Sequence, residues 1–306
     1  MQVPRVVVLG VPTSAGAHHA GQDLAPAALR AHLFPEHLAA GGIEVEDGGD
    51  IAGEVFAVDH GGDGHRSLAA VVWVARAVAD GVERVVRAGP VAVVLGGDCT
   101  ITLGVMAGVQ RRDPTAGLAY FDGDADLATP LRSRSGILDS MGVSHLLGVA
   151  DTELARLDGR FPILDDAHLV MLGYDESDPD AYDGSVLRAR PRLQHYPDRD
   201  LRSQPEGIAA QAVAALSAVA GSLVVHFDVD AVDSGDLPLG NFPHYGTGVS
   251  PQAAGDVLRT LCSAPGLTAV VLTEVNPTYD PAGVQVQRYV DTVTAAIGAG
   301  LRSATA

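Results

Sequence analysis

Residues 120–130 read Y-F-D-G-D-A-D-L-A-T-P, and the fold is decided by how this stretch is read. It begins inside the apolar run Gly117, Leu118, Ala119, Tyr120, Phe121, which is short and ends in glycine and acids. Such a run reads as a buried strand. In an extended backbone every second side chain points to the same side. Asp122, Asp124 and Asp126 would then converge at the strand's C-terminal mouth, where open α/β sheets bind ligands. Carboxylates about 4 Å apart repel by roughly 4 kcal/mol at an effective dielectric near 20. The trio therefore takes a cation, shares a proton or splays into water. Alone, D-x-D-x-D is equally a solvated acidic loop.

Two further stretches shift that balance. His226-Phe227-Asp228-Val229-Asp230 closes the run 221–225 with a same-side carboxylate pair. Gly96-Gly97-Asp98-Cys99-Thr100 closes the run 91–95 with glycines, an acid and a thiol. Three buried strands that each end in acidic or thiol residues are poorly explained as three unrelated loops. Five aspartates in one crevice without a cation would cost more than the roughly 5–15 kcal/mol of net stability a domain has. Hard divalent cations take such oxygen donors, and two-metal hydrolases bridge their ions with a shared carboxylate. The residues read as a two-metal site.

Composition narrows the surroundings. At 306 residues and 47% hydrophobic, with no long acidic or Pro/Gly/Ser-rich linker, the chain reads as one domain over 1–306. A formal net charge of -18 argues against nucleic acid and anionic membrane as partners. All 20 basic side chains are arginine, which excludes Schiff-base chemistry on lysine. The two cysteines, Cys99 and Cys262, suit a reducing compartment, with Cys262 placed in the core. The N-terminus lacks secretory features, and no apolar run reaches the ~18 residues of a membrane span. The expected location is cytoplasmic.

In chain order, a strand at 6–9 leads into a loop over 10–25 carrying His18 and His19, either surface residues or site contacts. A helix follows at 26–33, then an edge strand at 43–45. Residues 55–66, with His60 and His65, read as irregular loop. A strong helix spans 65–88 with Trp73 expected in its core face. After the strand at 91–95 come a helix at 102–110, the aspartate strand, and a mostly irregular stretch at 127–147. Strands follow at 169–172, at 192–196 as a short edge strand, at 221–225 leading into the Asp228/Asp230 motif, and at 267–272. Helices are expected at 208–219, 251–263 and 284–301. Strands alternating with helices predict a mainly parallel sheet covered on both faces.

These stretches resemble the ureohydrolase family of arginase, agmatinase and formimidoylglutamase. The resemblance covers Gly10-Val11-Pro12, Gly96-Gly97-Asp98, the segment 122–126, Phe227-Asp228-Val229-Asp230 and Glu274-Val275-Asn276-Pro277, in order and spacing. It implies a three-layer α/β/α fold with an eight-stranded parallel sheet, assembled as a homo-oligomer, trimer or hexamer. It also implies two divalent ions, manganese first, that activate a water to attack a guanidinium or amidine carbon. Matched residue by residue, Asp122 and Asp228 correspond to bridging carboxylates, Asp126 to a ligand of the first metal and Asp230 to one of the second. Glu274 matches the carboxylate that pairs with the substrate's guanidinium. Asp178 falls where arginases place an acid near the substrate's amino group.

The departures alter the expected chemistry. The family's histidine after Gly-Gly-Asp is Cys99, and its second ligand histidine is Asp124. Both types bind divalent metal, and the thiol admits zinc or iron beside manganese. For Cys99 the alternative is a small buried filler. Ala128 stands where arginases carry asparagine, and Ser135-Gly136-Ile137-Leu138-Asp139 replaces Ser-Gly-Asn-x-His, so Asp139 takes the place of the proton-relay histidine. His145 and His244 are the other proton carriers considered, with nothing favouring either over a surface role. The expectation is a metal-dependent hydrolase of a linear C–N bond in a small guanidine or amidine other than L-arginine. Its rival is a catalytically weak member acting as a binding or regulatory subunit. Phosphoester hydrolysis is weaker still, because no Arg or Lys clamp is evident.

Overall fold

The computed structural model describes residues 3–59 and 64–304; His60 lies outside them. Eight strands form one sheet: β1 (Arg5–Gly10), β2 (Glu44–Asp50), β3 (Val91–Leu95), β4 (Gly117–Phe121), β5 (Leu169–Leu172), β6 (Gln194–Tyr196), β7 (Leu223–Asp228) and β8 (Leu267–Thr273). Their spatial order is β2-β1-β3-β8-β7-β4-β5-β6, and every pairing between them is parallel. The helices are α1 (Ala25–Ala31), α2 (Phe34–Ala40), α3 (Leu68–Ala88), α4 (Ile101–Gln110), α5 (Gly142–Leu146), α6 (Gly184–Arg188), α7 (Asp198–Ser203), α8 (Pro205–Ser217), α9 (Pro251–Leu261) and α10 (Val284–Ala304).

The six inner strands are mostly apolar because both faces are covered, whereas the edge strands β2 and β6 are mostly polar and partly or fully exposed, and the alternation sorts residues into two cores. Val7, Leu9, Ala92, Val94, Leu118 and Tyr120 pack with α3 and α4. Val6, Val8, Val93, Leu95, Ala119 and Phe121 pack with α1, α2, α8, α9 and α10 on the other side. The expected three-layer α/β/α architecture is therefore present. Both edge strands fall where the sequence placed them, β2 running on through Asp50 and β6 starting at Gln194. Cys262 is fully buried in the second core.

Trp73 is a correction. It lies on α3 but is 48% exposed, because the apolar stripe at Val71, Val72, Ala75, Val78 and Val82 turns the indole outward. The stretch 127–147, expected to be mostly irregular, contains a 3-10 turn at Asp139–Met141 and α5.

Candidate metal centre

The site is assembled by register. β3, β8, β7 and β4 are consecutive in the sheet, and each ends in one of the singled-out motifs. Phe121 pairs with Phe227, so Asp122 and Asp228 emerge side by side. Asp228 pairs with Thr273, which brings Glu274 next, and Leu272 pairs with Leu95 just ahead of the Gly96–Thr100 turn. Two glycines let the loops close on one another. A Cβ on Gly97 would lie 1.7 Å from the Thr13 carbonyl oxygen, and one on Gly123 would lie 2.5 Å from that of Asp230.

The aspartates converge, but not by strand alternation. β4 ends at Phe121, and Asp126 has a left-handed φ of 50°. Turns place them instead. Asp122 Oδ1 accepts the Asp124 amide at 2.7 Å, and Asp228 Oδ1 accepts the Asp230 amide at 2.8 Å. Each leading aspartate thus caps its own turn and keeps Oδ2 for the interior. Asp228 Oδ2 accepts from the Cys99 thiol at 2.6 Å, and Asp122 Oδ2 is 3.8 Å from the same sulfur. The Tyr120 hydroxyl donates to Asp126 Oδ2 at 2.6 Å, and the Cys99 amide donates to Asp139 Oδ1 at 2.8 Å. Glu274, also left-handed at φ 65°, accepts from Gln22 Nε2 at 2.6 Å through one oxygen; the other is buried without a hydrogen-bond partner. Left-handed non-glycine residues cost about 1–3 kcal/mol each and collect at functional sites.

Cys99, Asp122, Asp124, Asp126, Asp139, Asp228, Asp230 and Glu274 all line one cavity of about 20 Å³, together with His18, Ser140 and Phe242. That volume holds about one water-sized species. Asp178 does not line it. Its carboxylate accepts from the Asp180 amide at 2.8 Å, and it reaches the site only through its field on His18. Of the histidine pair, His18 faces the cavity and His19 is exposed.

Two imidazoles also belong here: His226, with no role legible in the sequence, and His244, weighed there only as a proton carrier or surface residue. His226 is wholly buried and its ring stacks on Tyr120 at 4.0 Å. Its Nε2 lies 3.2 Å from Asp122 Oδ2 and 3.6 Å from Cys99 Sγ. His244, 6% exposed rather than on the surface, brings Nε2 to 3.5 Å from Asp124 Oδ1. His145, the other histidine weighed against a surface role, is buried elsewhere with Nδ1 2.8 Å from the Met141 carbonyl.

The electrostatics call for cations. Burial, then the neighbouring acids, pushes Asp122 up to about 7 and Asp230 up to about 8, and holds Asp126, Asp139, Asp228 and Glu274 well above the ordinary carboxylate range. Burial and the facing carboxylates likewise raise the Cys99 thiol. Burial lowers His226 to about 3, keeping it neutral. Burial would also lower His244, but Asp124 and Asp230 outweigh it and raise it to about 10. No arginine lines the cavity and the chain has no lysine. Buried donors of this kind, several with unpartnered atoms, fit divalent metal.

An all-parallel α/β/α sheet with an acidic, cation-accepting mouth at its C-terminal edge defines the class. Within that class the Arginase family model matches residues 4–302, and the chain belongs to this family. It is 28% identical over 279 residues to an arginase of Bacillus caldovelox, covering 90% of this chain and 92% of that protein. It is also 28% identical over 297 residues to an arginase of Bacillus subtilis (strain 168), covering 96% and 97%. A solved Bacillus subtilis arginase superposes with TM-score 0.83 at 25% identity over 96% of this chain and 98% of that one. The Bacillus subtilis formimidoylglutamase, 17% identical, shares the fold at TM-score 0.76 over 98% and 88%.

Proposed function

We propose that this chain is a metal-dependent hydrolase of a linear C–N bond in a guanidino or amidino compound. The observation that carries this is Glu274: a buried carboxylate oxygen without a protein partner, beside the acidic centre in a site that has no fixed arginine or lysine. A planar cationic fork is the ligand that such an oxygen accepts best. Gln22 holds the other oxygen at 2.6 Å and sets the plane of the carboxylate. When bound, divalent cations supply Lewis acidity and a water acidified toward neutral pH.

In this reading Asp139 moves a proton. Its Oδ1 is engaged by the Cys99 amide, while the carboxyl group lines the cavity and lies within 4.8 Å of Glu274 and Cys99 donor atoms. Protonating the leaving amine is the step this position serves. L-arginine is disfavoured. Ala128 has no side-chain amide, and Ile137 and Leu138 have apolar side chains buried at 5% and 1% exposure, at the positions where the resemblance puts the residues that grip a substrate carboxylate. Among metals, manganese suits the carboxylates, with zinc or iron suited to Cys99.

The test is a panel of guanidines and amidines offered to manganese-, zinc- and cobalt-loaded protein, reading urea, ammonia and amine release. Hydrolysis that falls 100-fold or more in kcat/KM for Glu274→Gln supports the assignment, about 3 kcal/mol of transition-state stabilisation. No turnover of any compound by metal-loaded protein would refute it and favour a non-catalytic binding subunit.

A further inference from the structure

His226 and His244 lie behind the cavity, each with a ring nitrogen against an acid that lines it, Asp122 and Asp124 respectively. The Nδ1 of His226 is bonded to Thr102 Oγ1 at 2.8 Å inside the core, which turns Nε2 toward Asp122 and Cys99. One donor atom each from Cys99, Asp122, His226 and Asp228 lies within 4.8 Å of all the others. A second such group joins Asp124, Asp230 and His244. His244 Nε2 and Asp124 Oδ1 are both buried without a hydrogen-bond partner. Buried histidines with no ligand role ordinarily satisfy their ring nitrogens within the protein. Here each ring turns one nitrogen onto a nest of acids.

We propose that His226 and His244 are metal ligands, one in each of two neighbouring centres: an inner one of Cys99, Asp122, His226 and Asp228, and an outer one of Asp124, Asp230 and His244. The proposal rests on the reading of the cavity as a metal site and adds to it which side chains hold each ion. Each centre thereby has one nitrogen donor, although position 99 carries a thiol and position 124 a carboxylate. The two donor sets differ in softness. Sulfur, nitrogen and two carboxylates favour zinc, cobalt or iron(II), whereas two carboxylates and one imidazole suit a harder ion such as manganese. Thr102 acts as a positioning residue: an Nδ1–H donated to its Oγ1 leaves the Nε2 lone pair directed at the inner centre.

The full chain, stripped with chelator and titrated with cobalt(II), tests this. Wild type should take two equivalents, show a sulfur-to-cobalt charge-transfer band that Cys99→Ser abolishes, and give cobalt-edge X-ray absorption with both sulfur and imidazole scattering. His226→Gln should weaken the inner equivalent at least tenfold and spare the outer. His244→Gln should lose the outer equivalent and keep the sulfur band. Two equivalents bound with unchanged affinity in both glutamine variants would overturn the proposal. So would a wild-type edge spectrum without imidazole, which needs no variant to fold. In either case bound cobalt leaves the metal-hydrolase reading standing. Wild-type protein that binds no cobalt, zinc or manganese would bring down both together.

Discussion

Thr102→Val tests the link between the core and the metal centre most sharply. Thr102 is wholly buried on the first turn of α4, and its hydroxyl is the 2.8 Å partner of His226 Nδ1. Valine keeps the shape, so no cavity opens, but the imidazole N–H is left unpaired in the core. An unsatisfied buried donor costs about 1–3 kcal/mol, which in a chain of this size lowers Tm by several degrees. The same loss frees the ring to rotate, and removing an outer partner of a ligating histidine weakens metal binding roughly 10–100-fold. Urea unfolding of metal-free protein reads the first effect, and cobalt titration reads the second. Thr102→Ser retains the hydroxyl and should restore affinity while remaining slightly less stable through its lost methyl group. If Thr102→Val lowers stability yet binds cobalt as wild type does, the hydrogen bond is structural only and the reasoning fails. Unchanged stability would refute it from the other side.

Other outcomes follow from the same geometry. Gly97→Ala forces a Cβ to within 1.7 Å of the Thr13 carbonyl, so it should destabilise the fold by more than about 3 kcal/mol and reduce metal content, read by unfolding and elemental analysis. His145, depressed to about 4 by burial, is neutral in the fold and protonates near 6.5 when unfolded. Stability should therefore be lost as pH falls from about 6.5 to about 4, by an amount on the order of 3 kcal/mol that His145→Gln reduces. Asp122 and Asp230 run the other way. Unfolded carboxyls ionise near 3.9 while these hold protons to about 7 and about 8, so the metal-free fold should weaken as pH rises from about 4 to about 8. Added manganese or zinc should reverse that slope, and calorimetry from pH 5 to 9 with and without chelator would show it.

Much of this was legible in the sequence, and the boundary follows physical reach. Short apolar runs ending in glycine and acid mark parallel strands directly, and the alternation of Val6 and Val8 with Val7 and Leu9 already sorts the two cores. Eight of the nine singled-out site residues line the cavity, seven from motifs that sheet order brings together at strand C-termini and Asp139 from the turn before α5. What stayed hidden depends on contacts between distant segments. His226 reads as one polar residue in a buried strand, and its meaning lies in Cys99 and Thr102, more than a hundred positions earlier. His244 sits in a loop whose course the pattern does not encode. The outward indole of Trp73 shows the opposite limit: helical spacing admits it to the apolar face, and only the exact stripe excludes it.

The four strands that carry the donors stand side by side in the order β3, β8, β7, β4, yet β3 ends at Leu95 and its neighbour β8 begins only at Leu267. The β4–β7 pair alone can bring Asp122 and Asp228 together, but Cys99 joins them only once β8 lies between β3 and β7. Such non-local pairing makes folding slow and places closure of the centre among its last events. Occupancy of the Cys99-containing inner centre is accordingly a gauge of completed topology. A preparation whose inner centre cannot be filled would contain chains arrested before β8 inserted between β3 and β7, and its thiolate-bound metal per chain would count the finished molecules.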